Sequence, residues 1–216
     1  MSLTALGPDT IAEKLYRYDR IHAAVASPAD LNESHLRQYR DLGFLAVENV
    51  FSDGEVATYR QAISDLIAIG DPRIVQFEKI VEGQNLTPEQ REAYVRKCHG
   101  FVEYSPPLKA MSQHPVLHAI MEKLIGYQVR LVQDMALLKP PLVGREKPWH
   151  QDMAYFDVKP PELVLGTWTA LDPATPENGC MHVIPGSHQS GPKPHYHDRD
   201  CQLSDEDVDV DRDVMV

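Results

Sequence analysis

Trp149-His150-Gln151-Asp152 sets a histidine and an aspartate two residues apart. On an extended segment side chains alternate, so His150 and Asp152 point to one face and Gln151 to the other. An imidazole nitrogen and a carboxylate oxygen on one face, joined by a further histidine from elsewhere, make a facial triad. Such a triad holds Fe(II) on one side and leaves three coordination positions open. Alone the spacing is a weak signal: a chain with 10 histidines and 32 acidic residues produces a His-x-Asp by accident, and such a pair is ordinarily solvated in a loop.

The surroundings strengthen it. Upstream, Gln128 to Leu138 is rich in apolar and β-branched positions, with Val129, Leu131, Gln133, Met135 and Leu137 expected on one face, and Pro140-Pro141 ends it. Downstream, a strand is expected from Leu163 to Leu171, then a loop to Gly179, then a strand from Cys180 to Ile184 that runs into Pro185-Gly186-Ser187-His188. Strands separated by turn signals, with no helical pattern between them, point to an antiparallel sandwich or barrel rather than a βαβ unit.

The front half reads differently. Leu36, Tyr39 and Leu42 recur at helical spacing before Gly43, and Phe44 to Val47 reads as a strand. Ser52 or Asp53 caps a helix whose apolar face is Val56, Tyr59, Ala62, Ile63, Leu66 and Ile67, stopped by Gly70-Asp71-Pro72. Ile74 to Ile80 looks extended. Thr87 and Pro88 start a helix that is expected to run towards Lys97 and Cys98. Ser105-Pro106-Pro107 is expected to break the chain, and a short helix follows His114-Pro115 up to Gly126. One domain over residues 1–216 is expected, helical to about residue 126 and β from about 127 onward.

Composition limits the function classes. At 216 residues, 43% hydrophobic and 25% charged, the chain is long and apolar enough for one sizeable core. A net charge of −11 disfavours nucleic acid or an anionic membrane as partner. Cys98, Cys180 and Cys201 are odd in number and far apart, so a reducing compartment, the cytoplasm, is expected. Neither a secretory signal nor a membrane span is expected. Residues 204–213 are strongly acidic. Asp205, Asp207 and Asp209 mimic the opening of a calcium loop, but Val210 and Val216 stand where its glycine and glutamate belong, so a solvated acidic loop is expected. HExxH, the phosphate-binding glycine motifs and G-x-S-x-G are all absent.

Taken together, Trp149-His150-Gln151-Asp152, Tyr155-Phe156, Trp168-Thr169-Ala170-Leu171 and Asn178-Gly179-Cys180-Met181-His182-Val183-Ile184-Pro185-Gly186-Ser187-His188 resemble the phytanoyl-CoA dioxygenase family of iron(II)- and 2-oxoglutarate-dependent oxygenases. Gly43-Phe44-Leu45 and Leu137-Leu138-Lys139-Pro140-Pro141 add to the likeness, which covers about His35 to His188. The resemblance implies an α+β chain, mainly β with flanking helices, built on a double-stranded β-helix (a cupin-like jelly roll). It implies that His150 and Asp152 ligate iron, that Met135, Gln151 and Trp168 border the 2-oxoglutarate pocket, and that Lys97 reaches the co-substrate. It implies hydroxylation of an unactivated C–H of a small organic substrate by O₂, with succinate and CO₂ as co-products. The family's last strands, its distal histidine ligand and the arginine that pairs with 2-oxoglutarate are expected beyond Val216, so the chain is expected to be C-terminally incomplete.

Each of these residues also has a plainer reading. Trp168 is equally a core aromatic, Met135 packing on an apolar face, and Lys97 a solvated lysine. His182, His188, His195 and His197 lie near the motif in sequence but lack a ligand-like context. Two other functions stay open: a β-helix scaffold that binds a small molecule or protein without catalysis, and a cupin-like metal enzyme that needs no 2-oxoglutarate.

Overall fold

The structure, a computed structural model, describes residues 14–156, 158 and 160–216. By their contacts they form two units, each drawn from separate stretches of sequence. The first comprises the described residues within Met1–Asn49, Lys147–Gly166 and Ala174–Val216; the second comprises Val50–Glu146 and Thr167–Pro173.

The first unit contains helix α1, Glu33–Leu42. Asn32 caps it by accepting the Ser34 N–H at 2.9 Å, and His35 Nδ1 accepts the Asn32 N–H at 3.3 Å. Gly43 ends it at φ 85°, donating to the Tyr39 carbonyl. A side chain at Gly43 would also collide with the His188 ring. The Gly186 N–H donates to Leu42 O at 2.7 Å and His188 Nε2 to Arg40 O at 3.0 Å, so the Pro185–His188 turn is bonded to the end of α1. The strand expected over Phe44 to Val47 shrinks to one parallel bridge between Val25 and Val47. Asn49, at φ 56°, turns the chain away before a longer ladder can form.

The second unit begins with α2, Asp53–Ile69, capped by Ser52 with Glu55 closing the capping box. Tyr59, Ala62, Ile63, Leu66 and Ile67 are buried at the spacing of one helical face. Gly70 (φ 67°) ends the helix, and Arg91 donates to the carbonyls of Ala68 and Ile69 there. Strand β1 is Val75–Phe77, and α3, Pro88–Tyr94, starts on Thr87 and Pro88 as expected. It stops early: Val95 is extended, and Val95–His99 form strand β2, not the end of a helix. Antiparallel neighbours on both sides explain the switch, pairing Val75 with Cys98 and Lys97 with Leu137. Helix α4, Pro106–Ser112, occupies the expected break, because proline at the first helical position needs no N–H partner. Helix α5 is Pro115–Ile125, and strand β3 is Met135–Leu137.

The sheet order is β1-β2-β3. Its inner face carries Val75, Cys98 and Ala136 against α2, Phe101, Val102 and Leu108. Met135 and Leu137 therefore face outward, 42% and 46% exposed, the opposite of a buried stripe. Glu78, 2% exposed, accepts Arg145 Nε at 2.6 Å and lies 3.9 Å from Arg96, which donates to the carbonyls of Arg145 and Glu146.

Back in the first unit, β4 (His182–Val183) pairs antiparallel with β7 (Val214–Met215), and β5 (His195–Tyr196) with β6 (Gln202–Leu203). No strand is assigned over residues 163–171. The acidic run is not wholly solvated. Asp205 pairs with Arg199, and Asp213 is fully buried. Among the described residues the fold is mixed, with more residues in helices than in strands, and no helix is long and apolar enough to cross a membrane.

Candidate functional site

His150 lies in irregular chain and Asp152 opens a 3₁₀ turn, Asp152–Ala154, so neither sits on a strand. The single residue between them is extended, Gln151 at φ −114° and ψ 119°. That suffices for alternation: His150 Nε2 and Asp152 Oδ1 converge to 3.2 Å. His150 Nδ1 donates to the Pro148 carbonyl at 2.7 Å. That bond places a proton on Nδ1 and leaves Nε2 available to a metal ion. Adjacent donors around a six-coordinate first-row metal, at bond lengths of about 2.1 Å, stand about 3 Å apart. The pair fits two corners of an iron site. A hydrogen bond from His150 Nε2, whose proton a metal ion would replace, holds the Asp152 carboxyl below its ordinary range against an opposing effect of burial, so Asp152 is ionised and able to ligate at neutral pH.

Gln151 points elsewhere. Its amide donates to Gly191 O at 3.1 Å and accepts the Lys193 N–H at 2.8 Å, while its backbone N–H donates to His195 Nε2 at 2.8 Å. His195 Nδ1 donates to Lys193 O, so both of its ring nitrogens are engaged. His188 is bonded to Arg40 and His182 to Asp213. Among the described residues no group of three or more His, Cys, Asp or Glu side chains is gathered for a metal ion. The roles of the Pro148 carbonyl and His195 carried no signal in the sequence, since one is a backbone atom and the other is fixed by a contact 44 residues distant.

The remaining candidates belong to the second unit. Lys97 on β2 and Met135 on β3 share the outward face of the sheet with His99. They line an open cavity of about 380 Å³ with Gly100, Val132, Gln133 and Asp134. Asp134 Oδ2 accepts the N–H groups of Phe101 and Val102 at 2.6 and 2.8 Å, which pins the strand end beside it. Trp168, 49% exposed, is not part of that lining. Its segment is tied down by Leu171 in the core and by the Arg60–Asp172 ion pair at 2.8 Å.

The model of the phytanoyl-CoA dioxygenase (PhyH) family matches residues 39–212. A phytanoyl-CoA dioxygenase domain-containing protein 1 from Danio rerio is 27% identical over 195 residues, covering 74% of this chain and 67% of that protein. A peroxisomal phytanoyl-CoA dioxygenase from Mus musculus is 30% identical over 163 residues, covering 73% of this chain and 47% of its own length. The chain thus spans about half of that mouse relative. Among solved structures, EvdO2 from Micromonospora carbonacea var. aurantiaca complexed with 2-oxoglutarate superposes at a TM-score of 0.62 and 24% identity, over 86% of this chain and 76% of that one. EctD from S. alaskensis with bound Fe gives 0.56 and 22%, over 81% and 59%. At these identities the structures establish a shared fold.

Proposed function

The chain belongs to the phytanoyl-CoA dioxygenase family, and from that premise we propose that it acts in iron(II)- and 2-oxoglutarate-dependent hydroxylation of an unactivated C–H bond of a small organic substrate, giving succinate and CO₂ as co-products. The observation that carries the reading is the convergence of His150 Nε2 and Asp152 Oδ1 at 3.2 Å, inside the matched span. The double-stranded β-helix is part of the proposal, supported by the likeness to oxygenase structures.

In this reading His150 and Asp152 hold the iron. The Pro148 carbonyl keeps the proton on His150 Nδ1, and Gln151, clamped to Gly191 and Lys193, fixes the bend that turns both ligands to one side. Gln151 thereby borders the co-substrate pocket as a positioning residue. Within the second unit, Lys97 beside Met135 offers its ammonium to a carboxylate in the open cavity they line; a role for Trp168 at the 2-oxoglutarate pocket rests on the family resemblance alone. Bound iron(II) with 2-oxoglutarate supplies the oxidation by O₂ that side chains alone cannot perform. A reducing compartment, the cytoplasm, is part of the proposal and rests on the odd number and wide spacing of Cys98, Cys180 and Cys201; the mouse relative is named as peroxisomal.

The test is an anaerobic titration with Fe(II) and 2-oxoglutarate, followed by the visible metal-to-ligand charge-transfer band. The band is expected in a version of the chain that carries the family's distal histidine and arginine, and is lost there in His150→Ala and Asp152→Ala. A folded protein of that version without the band would remove the oxygenase reading and leave a binding scaffold in its place.

A further inference from the structure

Cys180, His182 and Asp213, all in the first unit, take no part in the metal pair. Asp213 is fully buried. Its Oδ2 accepts the Arg17 backbone N–H at 2.7 Å and the His182 Nδ1–H at 2.9 Å, and its Oδ1 lies 3.1 Å from the same ring nitrogen. With the proton on Nδ1, Nε2 carries the lone pair, and it lies 3.8 Å from Cys180 Sγ. The rings of Tyr16, Tyr18 and Trp149 stand 5.1, 5.3 and 6.3 Å from the imidazole and leave its side chain 7% exposed. Among the described residues, the titratable groups facing His182 include Asp213 from the segment before β7, Cys180 from the segment before β4, and the two phenols from the N-terminal stretch. Thiol, imidazole and orienting carboxylate thus stand in the order that activates a sulfur nucleophile.

We propose that Cys180 is an activated thiol that reduces small hydroperoxides and is itself oxidised to the sulfenic acid. His182 Nε2 takes the proton from Sγ. The thiolate attacks one peroxide oxygen, the S–O bond forms, and the O–O bond breaks. The departing alkoxide or hydroxide takes the proton from His182. Sulfur loses two electrons, and the hydroperoxide leaves as an alcohol or water. Size selects the reagent: Cys180 is only 8% exposed, so a small molecule reaches it and a bulky one does not. Cys98 is the internal reference. It is fully buried, and burial pushes its thiol up to about 11.

The experiment treats the whole chain with hydrogen peroxide, with a chelator present to suppress iron–peroxide chemistry. Sulfenic acid is trapped with dimedone and each cysteine is followed by peptide mapping across pH. At neutral pH Cys180 is expected to be trapped at least about tenfold faster than Cys98, with a profile that breaks below the ordinary thiol value of about 8.5. His182→Gln and Asp213→Asn should return that profile to the ordinary value. Should either variant fail to fold, the profile of the parent chain decides alone. Trapping no faster than at Cys98, or a rate that rises only near the ordinary thiol value, overturns the proposal and leaves the buried His182–Asp213 pair as a tie between β4 and β7.

Discussion

Asp71 is gripped by Arg73, whose backbone N–H donates to Oδ1 at 2.9 Å and whose guanidinium reaches Oδ2 at 2.6 Å. The side-chain and backbone hydrogen bonds from Arg73 hold the Asp71 carboxyl down at about 2. A depressed carboxylate stabilises the fold fully above its unfolded value of about 3.9, and the contribution is lost as pH falls through the folded value. A carbon-detected NMR titration should find the Asp71 midpoint near 2; Arg73→Ala should move it up towards about 3.9, and an unmoved midpoint would refute the cause. The same scale shows what sequence could convey about the candidate site. His150 and Asp152 were legible because alternation needs only one extended residue between them, and Gln151 supplies it. Asp213 was not legible: it sits in a run of acids, and its burial is fixed by His182, 31 residues away.

Helices were read more faithfully than strands, for a physical reason. A cap is local: Ser52, Thr87 and Gly43 act within a turn of the helix they bound. A strand is decided by partners elsewhere, so Val95–His99 reads as the tail of a helix until β1 and β3 flank it. Two substitutions test α2. Ser52→Ala should cost about 1 kcal/mol through the lost cap, and Leu66→Ala about 2–5 kcal/mol through the cavity it leaves, both measured by urea unfolding. Beside the sheet, Glu78→Ala should cost about 3–5 kcal/mol, because it strands the nearly buried Arg96 without its counter-charge. A loss below that of Ser52→Ala would mean that Arg96 is satisfied by its other partners, the Arg145 and Glu146 carbonyls among them.

Across the whole molecule the protection of backbone amides should be uneven. The core cluster from Tyr59 to Leu108 lies in the second unit, with β2 hydrogen-bonded on both sides. β5 and β6 are two residues each, in a sheet of only two strands. Hydrogen exchange should therefore be slowest at Val95–His99 and fast at His195–Tyr196; equal rates would contradict the packing described. Family membership was legible at this scale because blocks of motif kept their order and spacing, although the strand expected over residues 163–171 is absent. The discontinuity of the first unit bears on biosynthesis. A chain leaves the ribosome from its N-terminus, so α2 and the apolar cluster around it can assemble early. Arg20 and His22, whose backbone partner is Met215, must wait until Met215 has been synthesised. Until then residues 20–22 are an unmated ribbon, open to chaperones or to a neighbouring nascent chain. Stalled ribosomes should show it: nascent chains ending before Met215 should be cut by trypsin after Arg17 and Arg20, and those extending past it should resist.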